Sequence, residues 1–147
     1  MSADVKVEVS DAVIAFTPPR GEEGHGAQIL FAGVVRNRNQ GRDVVGVSYD
    51  AHGPLAVATL TTLCHEAQAR FGSGLQFELR HRTGRLRVGE ISLLIAVTSA
   101  HRDEAYQASR YVIEELKKRA PIWKQEHYVD GDSAWLKGHA LCGHASA

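Results

Sequence analysis

Between Ile91 and Lys124 the chain reads ISLLIAVTSAHRDEAYQASRYVIEELKKRAPIWK, and this stretch constrains the fold more than any other. Glu90 to Thr98 is almost wholly apolar, as a strand buried on both faces should be, and falls far short of the ~20 residues a membrane span needs. Ser99 is placed to cap a helix. Asp103 and Glu104 occupy its first turn and Lys117, Lys118 and Arg119 its last, the charge order that complements the helix dipole. Ala105, Ala108, Val112, Ile113 and Leu116 draw its apolar stripe. Pro121 disfavours helical geometry at Ala120, so the helix should end near Arg119, and Trp123 to Val129 reads as a strand.

A second helix is announced by Pro54, suited to a first turn, and by Ala56, Leu60, Leu63, Ala67 and Phe71 at spacings of three and four, with Gly72 and Gly74 as the stop. Val5, Val7 and Val9 alternate with charged residues in a short strand, and Pro18 to Gly26 is a loop. Ala27 to Val35 reads as a strand covered on both faces. Arg36 to Asp43 is polar, and Val44, Val45, Val47 and Tyr49 resume the strand pattern, so these two strands are expected to form a hairpin with a long basic connection. Leu75, Phe77 and Leu79 alternate with Gln76, Glu78 and Arg80, and Gly84 and Gly89 punctuate the turn leading to the buried strand at Glu90. Hairpins before and after the first helix favour an α+β domain on a largely antiparallel sheet with two main helices. One domain over residues 1–137 is expected, with 138–147 a mobile tail, since the small, His-containing end has no periodicity.

Seventeen Lys plus Arg balance seventeen Asp plus Glu, so no global field draws the chain to nucleic acid or an anionic membrane. The N-terminus lacks the apolar core and cleavage site of a signal peptide, and two cysteines are too few for a disulfide framework; the chain reads as cytoplasmic. Cys64 falls on the first helix's apolar stripe and reads as a buried hydrophobe. His139, Cys142 and His144 suggest a metal, but a fourth ligand is missing nearby, so no metal site is expected. Arg36, Arg38, Arg42, Arg80, Arg82, Arg85 and Arg87 leave open a non-catalytic anion- or nucleic-acid-binding module, although exposed stacking aromatics at alternate strand positions are not evident.

Chemistry concentrates at the two ends of the second helix. His101 and Arg102 open it, where free backbone N–H groups favour anions, and Lys117 closes it. The two ends lie about 24 Å apart, so they can serve one site only if a partner subunit or a long ligand bridges them. Lys118 and Arg119 read as ordinary dipole partners in water. Lys117 follows Leu116 directly, and its cationic neighbours disfavour its protonated form, one route to a reactive lysine. The Pro121 turn brings Lys124 back in an extended segment.

The segment His101-Arg102 followed by Leu116-Lys117-x-Arg119-Ala120-Pro121-x-Trp123-Lys124 resembles the MoaE family, the large, catalytic subunits of molybdopterin synthase. The resemblance extends to Phe31-Ala32-Gly33-Val34-Val35-Arg36, to Tyr49-Asp50-Ala51-His52 with Pro54, to His81-Arg82-x-Gly84-x-Leu86-x-x-Gly89-Glu90, and to Gly131-Asp132 with Trp135. It implies an α/β hammerhead fold and a sulfurtransferase that installs a dithiolene on cyclic pyranopterin monophosphate. The sulfur would come from the C-terminal glycine thiocarboxylate of a small ubiquitin-like subunit, within a heterotetramer built on a central homodimer, and no cofactor is implied. By position, Lys117 and Lys124 match the catalytic lysines, and Arg36, His101 and Arg102 the substrate-anion ligands. Val34, Val35, Gln125 and Glu126 match further pocket-lining positions. His52 and Leu55 stand where many members have tyrosine and methionine. Leucine keeps methionine's volume, and His52 reads as a substitute donor or, preferably, a surface residue.

Overall fold

The computed structural model describes residues 4–15, 17–18 and 21–137, so the tail with His139, Cys142 and His144 lies outside the described residues. Its centre is the strand β7 (Ile91–Ser99), buried from Ser92 to Ser99 as its apolar run demands. β7 is flanked by β5 (Gln76–Arg82) and β2 (Ala27–Val34), both antiparallel to it, and β1 (Val5–Ser10) adds in parallel to β5. The helices α1 (Gly53–Phe71) and α2 (Arg102–Arg119) cover one face of this four-stranded sheet. Leu60 and Leu63 of α1, Val112 of α2, and Leu79, Ile95 and Val97 of the sheet are fully or almost fully buried between the layers. Each such side chain contributes roughly 1.5–3 kcal/mol of transfer free energy.

A second, six-stranded sheet gathers β3 (Arg38–Asn39), β4 (Arg42–Ala51), β6 (Gly84–Arg87), β8 (Ile122–Tyr128), β9 (Gly131–Asp132) and β10 (Leu136–Lys137). β4 lies between β6 and β8, antiparallel to both, over a smaller core of Val35, Val44, Val47, Leu86 and Tyr128. The architecture is α+β with mostly antiparallel pairing, as expected, but in two sheets rather than one. No helix among the described residues is long and apolar enough to cross a membrane.

Four local expectations need correction. The strands at Ala27 and Val44 do not pair: β2 joins β7, and β4 belongs to the other sheet. The chain leaves the first sheet at Val35, whose N–H donates to the Glu90 carbonyl and whose own carbonyl accepts from Gly89, and Val35 enters the second core. The real hairpin there is β3–β4, turned by Gln40 and Gly41 at φ 51° and 78°, the left-handed pair a two-residue hairpin requires. Second, β2 is an edge strand rather than a doubly covered one, leaving Phe31 and Val34 partly exposed. Third, the segment between Gly84 and Gly89 contains a strand, β6, which buries Leu86.

Fourth, the helix caps differ. α2 is capped at His101, whose backbone N–H donates to the Glu104 carboxylate, while Ser99 is buried in β7 and donates its hydroxyl to the His101 carbonyl. His52 is exposed, as preferred from the sequence, and it is also the N-cap of α1, its Nδ1 accepting from Leu55 N–H at 3.2 Å. Imidazole nitrogen can satisfy an orphan helix N–H as a hydroxyl would.

Candidate active site

α2 stops where Pro121 forbids another turn, with Ala120 extended at φ −71° and ψ 135°. The bend is tied down on both sides. Ala120 N–H donates to Leu116, Ile122 N–H to Ala120, and the Pro121 carbonyl accepts from His52 N–H at 3.2 Å. Leu116 and Ile122 anchor the bend in the main core, so Lys117, next to Leu116, is carried to a pocket that it lines with Gly33, Tyr49, His81 and Ser92.

β8 then runs antiparallel to β4 with Lys124 opposite Tyr49 and Glu126 opposite Val47. Cross-strand partners share a face, so Ile122, Lys124 and Glu126 lie on the side of Tyr49. Tyr49 lines the Lys117 pocket and faces Lys124 across the ladder; one largely buried tyrosine therefore neighbours both lysines. Burial raises the Tyr49 hydroxyl's pKa above its usual value; the hydrogen bond with Ser92 opposes this, and the Glu126 carboxylate adds to it.

Lys124 is only 13% exposed, with Nζ 3.5 Å from Glu126 Oε2. Asn39 Nδ2 donates to the same oxygen at 2.6 Å and to Tyr128 Oη at 3.0 Å, and Glu126 N–H donates to Ser133 Oγ. A buried carboxylate needs such partners, because an uncompensated charge costs several kcal/mol. His81 is a further buried polar group, and it lines the Lys117 pocket. Its Nδ1 lies 2.8 Å from the Arg82 carbonyl, and its ring meets Tyr49 edge-on, centroids 4.9 Å apart at 74°. Burial first, and the nearby charge of Lys117 second, lower its pKa to about 4, although the Arg82 hydrogen bond works the other way.

The remaining candidates are placed less uniformly. Val34 and Arg36 are exposed at the end of β2, while Val35 packs into the second core. Gln125 points to the opposite face from Lys124, where its Nε2 donates to the Ser133 carbonyl. His101 and Arg102 are exposed at the start of α2, a helix length of about 24 Å from Lys117, so within one chain they stand apart from the lysine pair. Among the described residues no group of three or more His, Cys, Asp or Glu is arranged to hold a metal. Of the seven arginines singled out in the sequence, Arg38, Arg42, Arg80, Arg82 and Arg87 each pair with a carboxylate.

Sequence reasoning missed His81, although continuing the alternation Phe77, Leu79 by two residues places it on the buried face. It also missed an aligned Ser48, His127 and Asp132, with Oγ to Nε2 at 2.6 Å and Nδ1 to Oδ1 at 2.8 Å. That order matches a nucleophile, base and orienting acid. Ser48 sits mid-strand between β6 and β8, where the ladder engages the backbone N–H groups that an oxyanion hole would need. The arrangement instead holds β9 against β8.

A family model described as MoaE protein matches residues 3–119. The chain is 51% identical over 121 residues to the molybdopterin synthase catalytic subunit of Synechococcus elongatus, covering 82% of this chain and 73% of that protein. It is 40% identical over 139 residues to the same-named subunit of a Nostoc species, covering 89% and 84%. The crystal structure of molybdopterin synthase from Staphylococcus aureus matches with a TM-score of 0.76 at 34% identity, covering 87% of this chain and 94% of that one.

Proposed function

This chain belongs to the MoaE family, and from that premise we propose that it is the large subunit of molybdopterin synthase, a sulfurtransferase acting on cyclic pyranopterin monophosphate. Its relatives bear the name of the catalytic subunit, and the observation that carries the reading to this chain is that Lys117 and Lys124 both neighbour the partly buried Tyr49. Both reactants of such a transfer, the phosphate-bearing pterin and a thiocarboxylate, are anions. Fixed ammonium groups in a partly dry cleft offset their repulsion far more effectively than the same charges in water.

In this reading Lys117 polarises the thiocarboxylate carbonyl presented by a small ubiquitin-like subunit, and Lys124 donates or accepts a proton as sulfur adds. Glu126, held by Asn39, keeps Lys124 in place. Arg36 grips the phosphate with a forked guanidinium, joined by His101 and Arg102. Because His101 and Arg102 lie a helix length from Lys117, they reach the pocket from a second copy, which makes the homodimer inside a heterotetramer a requirement of the site. Val34, Val35 and Gln125 complete the lining, Val35 and Gln125 through their backbone, and one domain over residues 1–137 working in the cytoplasm completes the proposal.

The test mixes purified chain, cyclic pyranopterin monophosphate and a thiocarboxylated small subunit and measures dithiolene product. Lys117→Ala should cut turnover about a hundredfold to a thousandfold with the circular dichroism spectrum unchanged. Normal turnover in that variant removes Lys117 from the mechanism.

A further inference from the structure

We propose that His81 is the positioning residue of Lys117: its imidazole, fixed between the Arg82 carbonyl and the Tyr49 ring, presents Nε2 as the acceptor that sets where the lysine ammonium stands in the pocket. The inference rests on the sulfur-transfer reading for its activity arm alone. The position itself makes the argument. Phe77, Leu79 and His81 succeed one another on the inward face of β5, opposite Val97, Ile95 and Leu93, and the first two are ordinary core residues. An aliphatic side chain at 81 would pack against Leu93 without any polar desolvation cost, so stability does not explain an imidazole there.

The ring's geometry explains it better. A carbonyl oxygen can only accept, so the 2.8 Å contact to Arg82 puts the proton on Nδ1 and leaves Nε2 with its lone pair. The side chain that carries Nε2 lines the same pocket as Lys117. The imidazole stays neutral at physiological pH, since burial and the charge of Lys117 both oppose its protonation. A neutral acceptor can hold an ammonium in one direction while leaving it able to release a proton, whereas a carboxylate would hold that proton far more tightly.

The charged and titratable groups around the ring fit this role. Tyr49 on β4 is held neutral by burial, and Lys117 comes from α2. On the other flank Arg80 pairs with Glu78 at 2.7 Å and lies 3.9 Å from Glu8. Lys124 and Glu126 of β8 lie beyond Tyr49 and pair with each other.

The experiment compares wild type, His81→Leu and His81→Gln by kcat, KM and pH–rate profile in the sulfur-transfer assay, and by NMR titration of the 13C-dimethylated Lys117, identified by its absence in Lys117→Arg. His81→Leu should lower kcat about tenfold to a hundredfold with KM little changed, and should move the Lys117 titration down by about one pH unit. His81→Gln, which keeps an acceptor, should recover part of both. An unshifted Lys117 titration in His81→Leu, or a glutamine variant no better than leucine, overturns the proposal. Should His81→Leu fail to fold, 15N spectra of wild type decide: the neutral Nδ1–H tautomer at pH 7 supports the proposal, and an imidazolium or Nε2–H tautomer overturns it. Absence of turnover in wild type would sink the sulfur-transfer reading while leaving the titration and tautomer readouts intact.

Discussion

Acidification should destabilise this fold through His81 before the carboxylates are titrated. The folded protein holds the imidazole pKa at about 4 against an ordinary value of 6.5, because a charged ring would lie buried beside Tyr49 and near Lys117. As pH falls, the unfolded chain binds the proton first, so the folded state loses ground. The contribution is fully present above pH 6.5 and is lost as pH drops through 4. Its total is about 3 kcal/mol, of which about 2 kcal/mol is already gone between pH 7 and pH 5. Urea denaturation followed by tryptophan fluorescence at pH 7, 6 and 5 measures it directly. His81→Gln removes the titrating group, so its stability should change far less over the same interval, and the difference between the two slopes isolates His81 from every other histidine. Parallel slopes would refute the reasoning, since they would mean that His81 takes up its proton in the folded protein as readily as in the unfolded chain.

Three further outcomes are expected. Gly26→Ala would put a Cβ 2.5 Å from the Ala100 carbonyl oxygen, at a residue whose N–H donates to Ser99 and Ala100; urea denaturation should show a loss of about 1–3 kcal/mol. Cys64 has no exposed surface and a thiol pKa pushed up to about 12 by burial, so in a Cys142→Ser background iodoacetamide at pH 8 should label it only as fast as the protein opens, read by mass spectrometry. The Arg119 guanidinium, then the Tyr111 hydroxyl, hold Glu66 at about 2; this contribution is present above the ordinary value of 4.5 and lost as pH falls through 2, so Glu66→Gln should flatten thermal stability across that range, with less effect in molar salt.

What the sequence disclosed was whatever its neighbours along the chain could specify. α2 ends at Arg119 because Pro121 acts within two residues, and β7 is central because its own composition leaves no polar face. Strand partners are a different matter, since a period of two tells which side chains share a face and nothing about which strand lies alongside. Hence the sequence alone pairs β2 with the strand nearest along the chain, and β6, four residues starting at Gly84, reads as a turn although Leu86 is fully buried. Gln40 lacks the usual signature of a left-handed turn, so the β3–β4 hairpin that brings Asn39 to Glu126 was hidden inside a polar run.

The site divides along the same line. Lys117 and Lys124 were visible as residues, because a helix end and a proline are local features, but their roles came from resemblance. Their relation to one another depends on Tyr49, seventy-five residues before Lys124 yet opposite it in the ladder. The bend between the lysines is also joined to the start of the other helix, since His52 caps α1 with its ring and donates its N–H to Pro121. Tyr49, His52 and the proline bend thus form one mechanical unit: the strand that carries the tyrosine leads directly into the residue that fixes the bend. A shift of β4 along β8 would move Tyr49 away from Lys124 and pull on the Pro121 carbonyl together. The geometry of the lysine pair is therefore set by sheet register as much as by either lysine, and register is the quantity a single sequence specifies least.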